Sequence, residues 1–221
     1  EPQVVEMSTS TPGASIYYTT DGSLPVPANS SAVLYSGGIA IDSTTFLRAS
    51  AVKEGFGNST VIAATYIYIE DVLVQDPQNA IGGPQYPFFW QGNASGDYAI
   101  DPRVVATWDD FNPDNNDFGI REALTSLPTM SIVMDHDDLW NATTGIYPNA
   151  TSEGSSWRRA GSVEYFDPAT GESFQHNVGV QMHGAASRDN GRLKKHSFRL
   201  IFNPDFGGGP GRLDFPLFDN S

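Results

Sequence analysis

Cysteine is missing from all 221 residues. That excludes disulfide bridges and thiolate metal sites. It does not place the chain in a reducing compartment, because many exported surface proteins also lack cysteine. Long apolar runs are missing too. None approaches the ~20 residues a membrane-spanning helix needs, and no signal-peptide pattern is visible. Basic residues are scarce, 12 Lys and Arg against 26 Asp and Glu, for a formal charge of −14. A field of that sign repels phosphate backbones and anionic headgroups, which argues against a nucleic-acid or general membrane-surface binder.

What is present describes a globular chain of one large or two small domains. Hydrophobic residues make up 39% and charged residues 17%, too apolar a balance for disorder. The 22 Gly, 15 Pro and 12% aromatics favour short strands and turns over long helices, so the expected class is mainly β. Five N-x-[ST] sequons, at Asn29, Asn58, Asn93, Asn141 and Asn149, exceed what composition alone would supply. They point to N-linked glycans and an extracellular or cell-surface location; an Asn/Ser/Thr-rich surface that generates sequons freely is the alternative. The chain starts at Glu1 without a methionine, and we read it as an internal piece of a longer exported protein.

Residues 1–69 read as a small β-sandwich. Val4 and Val5 with Met7 suggest a first strand, 15–19 a second, 32–35 a short third, 46–52 an alternating strand, and 61–69 a closing one. Pro12-Gly13 and Asp21-Gly22 supply turns. The run TPGASIYYTTDGSLP at 11–25, followed by FLRASAVK at 46–53, resembles the chitobiase/β-hexosaminidase C-terminal-type domain, a fibronectin-III-like sandwich. That resemblance implies a spacer or accessory module without catalytic residues, here lacking its first strand. Sugar binding through Tyr17, Tyr18 or Tyr35 is the functional alternative to simple packing of these tyrosines.

Residues 70–79 read as a linker in which Val72 and Val74 alternate and extend a strand. Beyond it, the aromatic run at 84–90 reads as packing beneath an irregular loop. The oxygen-rich tract Asp109, Asp110, Asn112, Asp114, Asn115, Asn116 and Asp117 is chemically suited to calcium, but its spacing fails the EF-hand pattern. A short amphipathic helix is expected over 119–126 and a strand over 129–134. Asp135 or Asp137 is placed to cap the turn carrying Leu139 and Trp140; the acidic cluster around His136 is otherwise a metal or acid–base candidate. Strands at 157–167, 178–183 and 195–202 complete an antiparallel meander.

The stretch 178–202, VGVQMHGAASRDNGRLKKHSFRLIF, gathers Arg188, Arg192, Lys194, Lys195 and Arg199, five of the 12 basic residues. A basic knot in an acidic chain suggests an anionic ligand, or only a patch that pairs with local carboxylates. Segments DYAIDPRVV (97–105), ALTSLPTMSIV (123–133), RAGSVEYF (159–166), GVQMHGAASR (179–188), KHSFRL (195–200) and LDFPLF (213–218) together resemble the N-terminal part of the spore-coat-H (CotH) family of atypical protein kinases and related surface proteins. The resemblance makes 80–221 the first part of a CotH-like domain, an incomplete α+β kinase-like lobe with an antiparallel sheet. It implies ATP with a divalent metal in the full-length parent. Gly184 and Ser187 would form a phosphate-facing loop, with Arg188, Lys195 and Arg199 as the basic partners. There is no Walker motif and no GxGxxG. No catalytic or metal-binding residue is assigned in this fragment, because the second lobe of a kinase supplies them.

Three functions follow as expectations. The first is the nucleotide-binding part of a secreted kinase-like protein, inactive as this fragment. The second is a structural or adhesive subunit of a glycosylated filament or surface layer, whose partners are copies of itself or other surface proteins through an exposed strand edge. The third is a surface module that binds glycans.

Overall fold

A computed structural model describes residues 3–75, 87, 89–90, 95–101, 119–189 and 192–217. The aspartate-rich tract at 109–117 and the sequon at Asn93 lie outside them. The fold is mainly β, with every sheet antiparallel, as the turn-rich composition leads one to expect.

The first unit has six strands: β1 (Gln3–Val5), β2 (Ser15–Thr19), β3 (Val33–Leu34), β4 (Ile39–Ile41), β5 (Thr45–Val52) and β6 (Ile62–Tyr66). β1 pairs with β4, and the other four form a sheet in the order β3-β2-β5-β6. The two sheets are tied where the Met7 amide donates to the Tyr35 hydroxyl at 3.0 Å. Ile41, Leu47 and Ala63 are buried apolar side chains of this unit. The Asp21-Gly22 turn forms as its residue types require. Asp21 accepts from the Ser23 amide at 3.0 Å, and Gly22 holds φ near 80°.

The expected extension of a strand into the linker stretch needs correction. Residues Ile69–Leu73 form a helical turn, α1, rather than an extended strand. The cause is tertiary: Asp71 accepts the Thr44 amide at 2.6 Å, and Glu70 holds the Arg121 guanidinium at 2.9 Å. Both contacts favour a coiled chain over an alternating one.

The second unit contains α2 (Ile120–Ser126), β7 (Thr129–Met134), α3 (His136–Trp140), β8 (Arg159–Phe166), β9 (Ser173–His183) and β10 (Ser197–Ile201). The sheet order β10-β9-β8-β7 is the expected meander. Asp135 caps α3, accepting from the Asp137 amide at 3.0 Å. The last strand begins at Ser197, so Lys195 precedes it instead of lying on it.

Strand alternation divides this sheet into two faces. On one face Val163, Val178, Val180 and Met182 are buried against Trp90, Ile146, Tyr147 and Ala150. Pairing register puts Ser131, Glu164, Asn177, Gln181 and Arg199 on the other. The sandwich docks over part of that polar face. Thr65 on β6 donates to Glu164 at 2.5 Å and lies 2.8 Å from the Ser131 hydroxyl. A carboxylate only accepts, so Thr65 gives its single proton to Glu164 and receives that of Ser131. Asn177 donates both to Val61 O and to Gly207 O, each at 2.9 Å, joining β9, the 203–209 loop and the sandwich at one point.

This seam has a pH signature. Burial pushes the Glu164 carboxyl above its ordinary value, opposed by its hydrogen bonds with Thr65. Burial likewise raises Asp138, opposed by Arg159. A carboxyl raised in the fold binds its proton more readily folded than unfolded, so stability rises as pH falls from the raised value toward the ordinary one. Above the raised value the penalty is constant. Glu164→Gln keeps an oxygen for Thr65 and removes that penalty. Thermal midpoints between pH 5 and 8 should be higher in the variant at the neutral end, with the difference closing toward the acidic end.

Candidate functional site

The undocked end of the polar face carries a cleft of about 290 Å³. Three arginines line it. Arg199 comes from β10, Arg188 from the 3-10 turn at Ala186–Arg188, and Arg158 from the residue just before β8. Register sets Arg199 opposite Gln181. Gln181 accepts from Arg158 Nε at 3.4 Å and donates to Gly154 O at 3.1 Å, which holds it across the floor between two of the arginines. His183 and Gly184 close the end of β9.

Arg188 is the buried member. Its Nη1 donates to Ala150 O at 3.3 Å and Ser152 O at 3.2 Å, and its Nη2 pairs with Glu153. Its Nε is buried and has no hydrogen-bond partner among the described residues. Arg199 is exposed and, among the described residues, forms no ion pair. Among the described residues, the Arg158 side chain has only its weak contact with Gln181. In an acidic chain, guanidiniums left without carboxylates are a local reversal of the molecular field, and their fork geometry suits a tetrahedral or planar oxyanion.

Gly184 turns with φ 112°, and a β-carbon there would run into the Ser187 hydroxyl. Ser187 therefore sits behind the turn rather than in the cleft. Its carbonyl accepts from His196 Nδ1 at 2.9 Å, so that nitrogen carries the proton. The Tyr147 hydroxyl donates to Lys194 O at 3.0 Å, and these two bonds pin the segment from both sides.

Of the five residues expected around a phosphate, Gly184, Arg188 and Arg199 meet in the cleft. Ser187 supports it from behind. Lys195 does not line it, and pairs instead with Asp97 at 3.1 Å on the surface. The residues missed were Arg158 and Gln181. Gln181 was visible as a polar residue alternating with Val180 and Met182. Arg158 carried no signal, because only strand pairing brings it across to β9.

Other candidates resolve less well as sites. Among the described residues no group of three or more His, Asp or Glu side chains is arranged to hold a metal ion, the Asp135–Asp138 stretch included. Tyr35 spends its hydroxyl on Met7, while Tyr17 and Tyr18 are half-buried. Of the sequons, Asn58 and Asn141 are exposed. Asn29 donates its amide nitrogen to Ser23 and Leu24, and Asn149 donates its own to Ala142 and Gly145. Asn141 instead uses its oxygen, which accepts the Thr143 and Thr144 amides.

Comparison with known families settles the first unit. Residues 1–64 match the chitobiase/beta-hexosaminidase C-terminal domain. The match begins with β1 and takes in β2 to β5 and most of β6, so the two-sheet unit is a domain of that kind. The arginine cleft lies wholly outside it. No curated protein and no solved structure matches the chain. No helix among the described residues is long and apolar enough to cross a membrane.

Proposed function

We propose that 80–221 form the nucleotide-binding part of a CotH-like domain in a secreted or cell-surface protein, carried beside a chitobiase-type accessory domain. The observation behind this reading is the cleft in which Arg158, Arg188 and Arg199 converge beside the Gly184 turn. Three guanidiniums and a turn with no β-carbon suit the phosphates of ATP, because charge-assisted donors and close backbone approach are what a polyanion needs. Divalent metal would come with the nucleotide. No transfer step is assigned to these residues, and the chain's role is binding.

Calorimetric titration with ATP and magnesium tests the reading. Arg199→Ala is expected to weaken binding roughly tenfold, the size of one lost charge-assisted contact. Absence of ATP binding by the unsubstituted protein would reject it. The second reading, a subunit of an extracellular assembly, draws on exposed apolar residues at the sandwich edges, Val4 on β1 and Val33 and Leu34 on β3. Sedimentation of the glycosylated protein separates the two, since assembly through these edges needs no nucleotide.

A further inference from the structure

Among the described residues, Glu153 is the only carboxylate that lines the cleft. It pairs with Arg188, yet its side chain is 75% exposed while the Arg188 side chain is only 10% exposed. The two ends of this ion pair are therefore held very differently. Arg188 is also anchored by the carbonyls of Ala150 and Ser152, two bonds that do not involve Glu153. Glu153 has no other hydrogen bond among the described residues, and Gly154, with φ 92°, follows it directly.

We infer that Glu153 is an internal anion that occupies Arg188 until a phosphoryl group displaces it, and so sets which anions the cleft accepts. The inference rests on the reading of the cleft as a phosphate site. A monoanionic carboxylate that replaces Glu153 exchanges one like charge for another and gains nothing at Arg188. A dianionic phosphoryl group reaches Arg188 while also neutralising Arg158 and Arg199, the two guanidiniums without carboxylate partners. The cleft thereby favours multiply charged phosphoryl groups over carboxylates.

Glu153→Gln isolates this effect. Glutamine keeps an oxygen to accept from Arg188 and removes only the charge. Inorganic pyrophosphate and acetate are titrated against the unsubstituted protein, Glu153→Gln and Arg199→Ala, with thermal midpoints confirming the fold. Glu153→Gln is expected to bind pyrophosphate roughly three- to tenfold tighter, the scale of one partly exposed charge. It should also gain measurable acetate binding. Pyrophosphate affinity unchanged or weakened in Glu153→Gln, with Arg199→Ala still impaired, would overturn the gate and leave the phosphate site standing. Pyrophosphate binding indifferent to Arg199→Ala would overturn both.

Discussion

Replacing Arg48 with methionine should lower the unfolding midpoint reported by tryptophan fluorescence, although no tryptophan lies in the sandwich. The chain has four, Trp90, Trp108, Trp140 and Trp157, all beyond residue 80. Arg48 is on β5 of the sandwich and is 4% exposed. Its Nη1 donates to Gly22 O at 2.7 Å. Gly22 in turn presses on the second unit, where a β-carbon would lie 3.3 Å from Val133 Cγ1. Burial pulls the Arg48 guanidinium below its ordinary value, opposed by the charges of Asp135, Asp138 and Asp21, and it remains a cation at neutral pH. Methionine fills similar space but leaves Gly22 O unsatisfied and removes a cation from beside Asp138. The expected loss is about 2–4 kcal/mol, or about 5–15 °C for a chain of this size. Calorimetry should show one transition that shifts as a whole. An unchanged fluorescence midpoint, with an early loss of sandwich signal in circular dichroism, would show that the units unfold separately.

The second large effect is expected from Ile146→Ala. Ile146 is 1% exposed and belongs to the cluster containing Trp90, Tyr147, Val163 and Val178. Its amide donates to Asp138 O at 2.9 Å, so the backbone cannot easily shift to refill the space. Truncation should cost about 2–5 kcal/mol, and Ile146→Val about 0.5–1.5 kcal/mol. Urea midpoints measure both. The loss should reach the cleft as well, because the same segment continues to Ala150 and Ser152, whose carbonyls hold Arg188. Anion binding in Ile146→Ala should fall before global unfolding begins, and Ile146→Val should retain it.

Most of the strands were legible because alternation is a local property. The 15–19 and 157–167 segments carry period-two patterning between turn residues, 129–134 ends in an apolar run before Asp135, and strands fall in all three. β4 passed unnoticed: three residues, Ile39–Ile41, are too few for a period to show. Helix α1 was hidden for the opposite reason. Val72 and Val74 alternate, but Thr44 and Arg121, distant in sequence, supply the partners that coil the segment. Gly145, Ile146 and Tyr147 lie between the sequons at Asn141 and Asn149, yet all three are buried. Nothing local distinguishes a loop that plugs a sheet from one that meets water.

The candidate site divides in the same way. Sequence alone determined the acidic field, the concentration of basic residues at 178–202, the Gly184 turn and the chitobiase-type domain, since each is a matter of composition or short-range pattern. Tertiary structure decided which of those bases act together. Arg192, Lys194 and Lys195 are exposed, and Arg188 and Arg199 meet Arg158, the residue just before β8. Alternation says that Gln181 and Arg199 each lie on the polar face of their strand. Only the β8-β9-β10 pairing puts Arg158 beside them, and only the docking of the sandwich over the rest of that face leaves this corner open.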